Sequence, residues 1–174
     1  MKRQRLILLA LALGGAVLGV PAGAPGQDVR AGVEQLALQI EPVLPQGRQV
    51  RIAVPPFCDQ QGVTSDYGRF VADRLIVRLA RNPRLMPIER RFFAELVRQL
   101  HVKRTDLDTP EGVRRLTTEY PVEMIILGVL SEAGDLINLQ ARVIDVATLG
   151  TLGVASVNVA NDAGAKRFLE AGRE

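Results

Sequence analysis

The chain has 174 residues, with 22 Lys and Arg against 19 Asp and Glu, one cysteine, one histidine and no tryptophan. A chain this long builds one ordinary core and is too short for two. A single thiol excludes an internal disulfide framework. The basic excess gives nucleic acid no footprint, because Lys2, Arg3 and Arg5 carry all of it and no acid precedes Asp28.

Those three charges open the chain, and Leu6 to Val20 after them is apolar apart from glycines. Ala22, Gly23 and Ala24 follow, which is the order of a secretory signal peptide: charge, apolar run, small residues. Residues 1–24 are therefore read as a signal peptide cut near 22 to 24. Cleavage after Ala24 leaves Pro25 behind the cut, while the alternative falls before Gly23. A helix over Leu6–Val20 spans about 22 Å, short of the roughly 30 Å hydrocarbon core. An uncleaved anchor is the rival reading. With the signal removed, 19 basic and 19 acidic residues remain, and no integral membrane span is expected.

Residues 25–48 form a Gly- and Pro-rich segment with one amphipathic helix. Asp28 caps it, and Val29, Val33, Leu36, Ala37 and Ile40 share one face. Pro42 and Pro45 stop it, and the turn Gln46-Gly47 sets it apart from the main domain, 49–160. There Val50, Ile52 and Val54 alternate with Arg51 and Ala53 as a strand ending at Pro55-Pro56. A loop from Phe57 to Ser65 leads to a helix over Asp66–Arg81, capped by Ser65 or Asp66. Its apolar side is Tyr67, Val71, Ala72, Leu75, Ile76 and Leu79, and Arg69, Asp73, Arg74 and Arg78 face out.

Leu85–Ile88 reads as a short strand, and Pro87 assigns it to a sheet edge. A helix over Arg90–Leu100 buries Phe93, Leu96, Val97 and Leu100. Thr109 caps another, with Pro110 in its first turn and Val113, Leu116 and Tyr120 inward. Met124–Leu130 is continuously apolar, the pattern of a central strand covered on both faces. After the turn Ala133-Gly134-Asp135, Ile137, Leu139, Ala141 and Val143 alternate with Asn138, Gln140 and Arg142. A second turn at Ala147–Gly150 returns the chain as Leu152–Val159. This alternation specifies antiparallel hairpins with one packed face. Residues 161–174 are a partly helical tail. The fold class is α/β (α+β): a mixed sheet of about five strands with helices on it and a C-terminal antiparallel meander. Two-layer and three-layer packing both fit the spacing.

No constellation of reactive residues emerges. His101 and Cys58 are each the only one of their kind, so metal-ligand clusters are missing. Cys58 reads as a small buried residue at a strand end, or as a reactive or intermolecular thiol. A lipoprotein needs its cysteine just after the apolar run, and Cys58 lies well beyond it. Ser65, Ser131 and Ser156 lack a nucleophile elbow; Gly14, Gly15 and Gly19 lie in the signal and do not fit a phosphate-binding glycine motif, and no Gly-Lys-Ser/Thr occurs. Arg74, Arg78, Arg81, Arg84, Arg90 and Arg91 form either a patch for an acidic partner or a solvated face interleaved with Asp73, Glu89 and Glu95. Only Leu136–Asp145 approaches the length of a barrel strand, so a pore is not expected. No catalytic, cofactor-binding or metal residue is expected, and no cofactor.

Several segments resemble a known group. Arg51-Ile-Ala-Val-Pro-Pro-Phe57 followed by Tyr67-Gly-Arg-Phe-Val-Ala-Asp-Arg-Leu75 is similar to the opening strand and helix of the CsgG/FlgO/TolB-N-terminal group of bacterial envelope domains. Leu85-Met-Pro-Ile-Glu-Arg90 with Phe93-Ala-Glu-Leu96 resembles its second strand and helix. Ile125-Ile-Leu-Gly128, Asn138-Leu-Gln-Ala-Arg-Val-Ile-Asp145 and the run to Gly150 resemble its closing strands. The resemblance covers Val50 to Val159 and looks most like the FlgO type. It implies a non-catalytic domain in the periplasm or at the outer membrane that assists flagellar or surface-fibre assembly. It carries no catalytic residue, and neither the lipidated cysteine nor the membrane hairpins of the curli channel are present.

The expected function is thus an exported, non-catalytic binding or assembly module with an envelope protein as partner. A homo-oligomer is compatible with it, and nucleic acid is not expected. One alternative is a regulator of a cell-wall synthase. Another is an envelope-polymer hydrolase, which needs two carboxyl groups about 5–10 Å apart in a cleft. Candidate contact regions are the loop Pro55–Asp66 and the helix Asp28–Ile40, whose apolar stripe either docks on a neighbour or packs on its own domain. A pocket gathering ionisable side chains would count against a passive adaptor.

Overall fold

The computed structural model describes residues 28–89, 91, 95, 98, 99, 106, 109–119 and 121–173. The expected signal peptide, most of the expected helix over Arg90–Leu100, and Arg90, His101 and Tyr120 lie outside them, as does the side chain of Leu116.

Helix α1 (Val29–Ile40) runs through a short 3-10 turn at Glu41–Val43 toward strand β1 (Val50–Ala53). Helix α2 (Asp66–Leu79) and strand β2 (Leu85–Pro87) follow. Beyond them come helix α3 (Pro110–Glu119) and strands β3 (Met124–Ala133), β4 (Leu136–Asp145) and β5 (Thr151–Ala160). Helix α4 (Ala163–Glu170) ends the fold. The strands form one sheet in the order β2-β1-β3-β4-β5. β1 is parallel to both neighbours, with Val50 opposite Leu85 and Ile52 opposite Met124. β3, β4 and β5 form the antiparallel meander, Leu130 facing Leu139 and Leu139 facing Val157. Pro87 therefore sits where its missing N–H is harmless, on an edge strand. Gly134 takes φ +61° in the β3–β4 turn, a conformation most side chains resist.

The meander is also where the two candidate layer counts resolve. On one face Val50, Ile52, Ile126, Ile137, Leu139, Val143 and Val157 pack with Leu36, Ile40, Val71, Leu75 and Leu79 of α1 and α2. Ala53, Ile125, Leu127 and Ile144 on the other face pack with Val113 of α3, Ile88 and Val122. The sheet is thus a middle layer around β1 and β3, which is why Ile125, Ile126 and Leu127 are buried in succession. Toward β5 the second face is open, and Gln140, Leu152, Val154 and Ser156 are exposed there.

The apolar stripe of α1 is spent inside this chain, with Val33, Leu36, Ala37 and Ile40 all buried in the larger core. Gln39, on the opposite side, reaches the outer edge of β5. Its side-chain amide donates to Ser156 O at 3.2 Å and accepts from Ser156 N at 3.0 Å. α4 is docked on α2 through Ala165 and Leu169, held in place by Asp66 N donating to Ala171 O at 2.9 Å.

Candidate functional site

The loop after β1 is the first of the expected contact regions, and its first half is interior. Pro55, Phe57 and Cys58 are buried. Phe57 N donates to Gly68 O at 3.1 Å, Cys58 N to Gly128 O at 3.2 Å, and Leu130 N to Cys58 O at 2.7 Å. The Pro-Pro pair interrupts β1, and the chain then resumes a short bridge alongside β3. Cys58 is buried against Gly128, Sγ to O 3.6 Å, and a reactive thiol would need exposure. Only the tip, with Gln60 and Gln61, reaches solvent. Asp59 there accepts from Gln61 N and Val63 N and pairs with Arg173 at 2.6 Å.

Among the described residues, most arginines of the expected group are turned to partners within the chain. Arg78 binds Glu34, and Glu41 at 2.9 Å, both near α1, while Arg81 binds Glu34 at 3.0 Å. The two glutamates hold the Arg78 guanidinium above its usual value, the Glu34 hydrogen bond contributing most. Arg84 is turned to Asn82 and Gln46, and Arg74 lies over the Phe70 ring, 5.2 Å from its centroid. Glu34 of α1 and Glu41 of the turn after it thus supply acids to this group. Arg91 is exposed.

What sequence spacing did not reveal is a groove of about 560 Å³ where α1, α2 and α4 begin. Asp28 and Val29 from α1, Tyr67 and Phe70 from α2, and Asp162, Ala165 and Phe168 from α4 line it. Asp162 caps α4, accepting from Ala165 N at 2.8 Å; Asp28 precedes α1 without making a capping bond. Tyr67 is only 4 % exposed, and its hydroxyl has no hydrogen-bond partner. Burial pushes this phenol above its ordinary value of 10.0, and the Asp162 and Asp28 carboxylates push it the same way. Phe70 and Phe168 stand with ring centroids 6.3 Å apart, and Phe168 is half exposed.

Ionisable side chains therefore do converge, contrary to the expectation that none would. Their arrangement does not suit hydrolysis. Both aspartates are exposed, whereas a glycoside-cleaving acid sits in an apolar enclosure that keeps it protonated. Burial and the carboxylates keep the Tyr67 phenol neutral and unfit as a base. Among the described residues no three potential ligands cluster to hold a metal ion.

No family model matches the chain, and no curated protein matches it in sequence. Solved structures do match in shape. The C-terminal domain of LpoB from Salmonella enterica superposes with a TM-score of 0.62 over 77% of this chain and 99% of that one, at 14% identity. The fold is LpoB-like. The same domain from Escherichia coli gives 0.62 over 77% of this chain and 99% of that one, at 13% identity. The NMR structure of E. coli LpoB gives 0.59 over 92% of this chain and 82% of that one, at 12% identity.

This shape corrects the resemblance to the CsgG/FlgO/TolB-N-terminal group and to its FlgO type, and with it the flagellar and surface-fibre roles. The physical reason lies in what the quoted segments encode. A strand ending in Pro-Pro-Phe, a helix opening on Tyr-Gly, and alternating closing strands specify a β-α-β unit feeding a meander. Such patterns fix the fold and do not separate one envelope family from another.

Proposed function

We propose that the chain is an exported, non-catalytic regulator of a cell-wall synthase, acting by direct contact in the periplasm at or near the outer membrane. The observation that carries the reading is the LpoB-like fold across three quarters of the chain and nearly all of the LpoB C-terminal domain. LpoB is an outer-membrane lipoprotein that activates the synthase PBP1B. Residues 1–24, in this reading, are a signal peptide, and 25–174 the exported protein. Among the described residues no helix is long and apolar enough to cross a membrane.

Cys58 is buried within the domain and is closed to acylation where it stands. The test is reconstitution: the purified protein is added to a bifunctional cell-wall synthase of the same cell, and glycan polymerisation and cross-linking are timed. A several-fold acceleration is expected, together with a complex seen by sedimentation. Unchanged rates with no complex would end the proposal.

A further inference from the structure

The groove at the starts of α1, α2 and α4 holds capacity that the fold does not use. The Tyr67 hydroxyl is buried without a partner, and a buried polar group left unpaired is a cost that a ligand relieves. The carboxylates of Asp28 and Asp162 line the same cavity, while among the described residues no lysine or arginine does. Ionised carboxylates only accept hydrogen bonds, and a phenol oxygen accepts as well as donates. An anion would meet repulsion here. A purely apolar guest would leave the phenol orphaned.

The remaining candidates differ in shape. A hard divalent cation wants six or more oxygens, more than these side chains supply. A guanidinium presents a planar fork best matched by one bidentate carboxylate. Here the acceptors come singly from α1, α2 and α4, which suits the three diverging donors of an ammonium. Phe70 and Phe168 supply the wall along which a hydrocarbon stem lies, and the half-exposed Phe168 leaves the mouth open.

We propose that this groove binds a primary ammonium carried on an aliphatic stem, the chemistry shared by a lysine side chain and a free diamine. The inference stands apart from the synthase reading, since it concerns the groove's ligand whatever the partner.

The test uses the full isotopically labelled chain in NMR titrations with three probes. N-acetyl-lysine methylamide and cadaverine carry the ammonium, and N-acetyl-norleucine methylamide has a comparable stem without charge. Saturable shifts at Tyr67, Phe70 and Phe168 are expected for at least one amine, with norleucine at least roughly tenfold weaker, as befits one charge-assisted hydrogen bond. Tighter binding of the lysine probe identifies a protein side chain as the natural source, and tighter cadaverine a free diamine. Asp162→Asn retains the capping oxygen, so it should leave the melting temperature in place while weakening the amine roughly tenfold. Equal binding of norleucine, shifts scattered over the surface, or an Asp162→Asn variant that binds as well as the parent would overturn the proposal.

Discussion

Substituting alanine for Gly128 asks the centre of the fold to accept a methyl group where the Phe57 ring already lies. A Cβ built at Gly128 falls well inside 3.0 Å of Cγ, Cδ1 and Cδ2 of that ring. Phe57 has no exposed surface and little freedom to withdraw. Its own N–H is bound to Gly68 O, and the next residue's N–H is bound to Gly128 O. Adding one methyl to such a site costs about 1–3 kcal/mol. With a urea m-value of about 2 kcal/mol/M, a loss of about 2 kcal/mol lowers the unfolding midpoint by about 1 M. Phe57→Leu should relieve the clash. Alone it costs about 1 kcal/mol for lost contacts, yet in the Gly128→Ala background the smaller side chain makes room. The double variant should therefore be more stable than the sum of the two losses by about 1 kcal/mol. Urea titrations followed by circular dichroism measure all four proteins. A Gly128→Ala variant within about 0.5 kcal/mol of the parent, or strict additivity of the pair, would refute the packing argument.

Tyr67→Phe removes the orphaned hydroxyl and keeps the ring, so stability at pH 7 should hold or rise by about 1 kcal/mol. The folded state binds the Tyr67 proton more tightly than the unfolded chain does. The parent should therefore lose stability relative to Tyr67→Phe above the ordinary phenol value of 10.0, by up to about 1.4 kcal/mol per pH unit; parallel curves at high pH would contradict this. Glu123 accepts from Arg51 N at 2.9 Å and pairs with Arg48. The Arg51 N–H, more than the Arg48 guanidinium, holds its carboxyl below the ordinary 4.5. The parent's advantage over Glu123→Gln should be complete near neutrality and vanish as the pH falls below that value, as thermal melts at pH 3 and pH 7 would reveal. Ser65→Ala removes the acceptor that holds Gly68 N at 3.2 Å and should cost about 1 kcal/mol in urea. Arg78, with its side chain 15% exposed, bridges Glu34 and Glu41. Arg78→Met should cost about 1–2 kcal/mol, because two acids lose one shared cation; no loss would show the bridge to be idle.

Periodicity made the sheet readable. Alternation along Ile137–Val143 and the return over Leu152–Val159 fixed one packed face, and the structure pairs them as β4 and β5. Pro87 marked an edge strand, and β2 is one. The continuous run at β3 indicated cover on both faces, and two separate cores provide it. Capping chemistry placed Ser65 and Thr109, whose hydroxyls accept from Gly68 N and Gly112 N. The groove was not legible, because it joins residue 28, residues 67 and 70, and residues 162 to 168 at the meeting of three helix starts. Tyr67 sat correctly on the buried side of α2, yet spacing says nothing about whether its hydroxyl finds a partner. The arginine group, read as either a patch or a solvated face, hid its partners for the same reason. Its counter-charges Glu34 and Glu41 lie some forty residues away in α1 and its following turn. Family likeness failed where local patterns were common to many folds.

The two hydrogen bonds between Gln39 and Ser156 decide what β5 offers its surroundings. A strand at the rim of a sheet invites other chains to extend it, and here the middle of that invitation is answered by a side chain from the same molecule. An incoming segment would have to evict the glutamine amide before it could zip alongside. Growth of the sheet at this edge into fibres or swapped dimers therefore starts with a penalty.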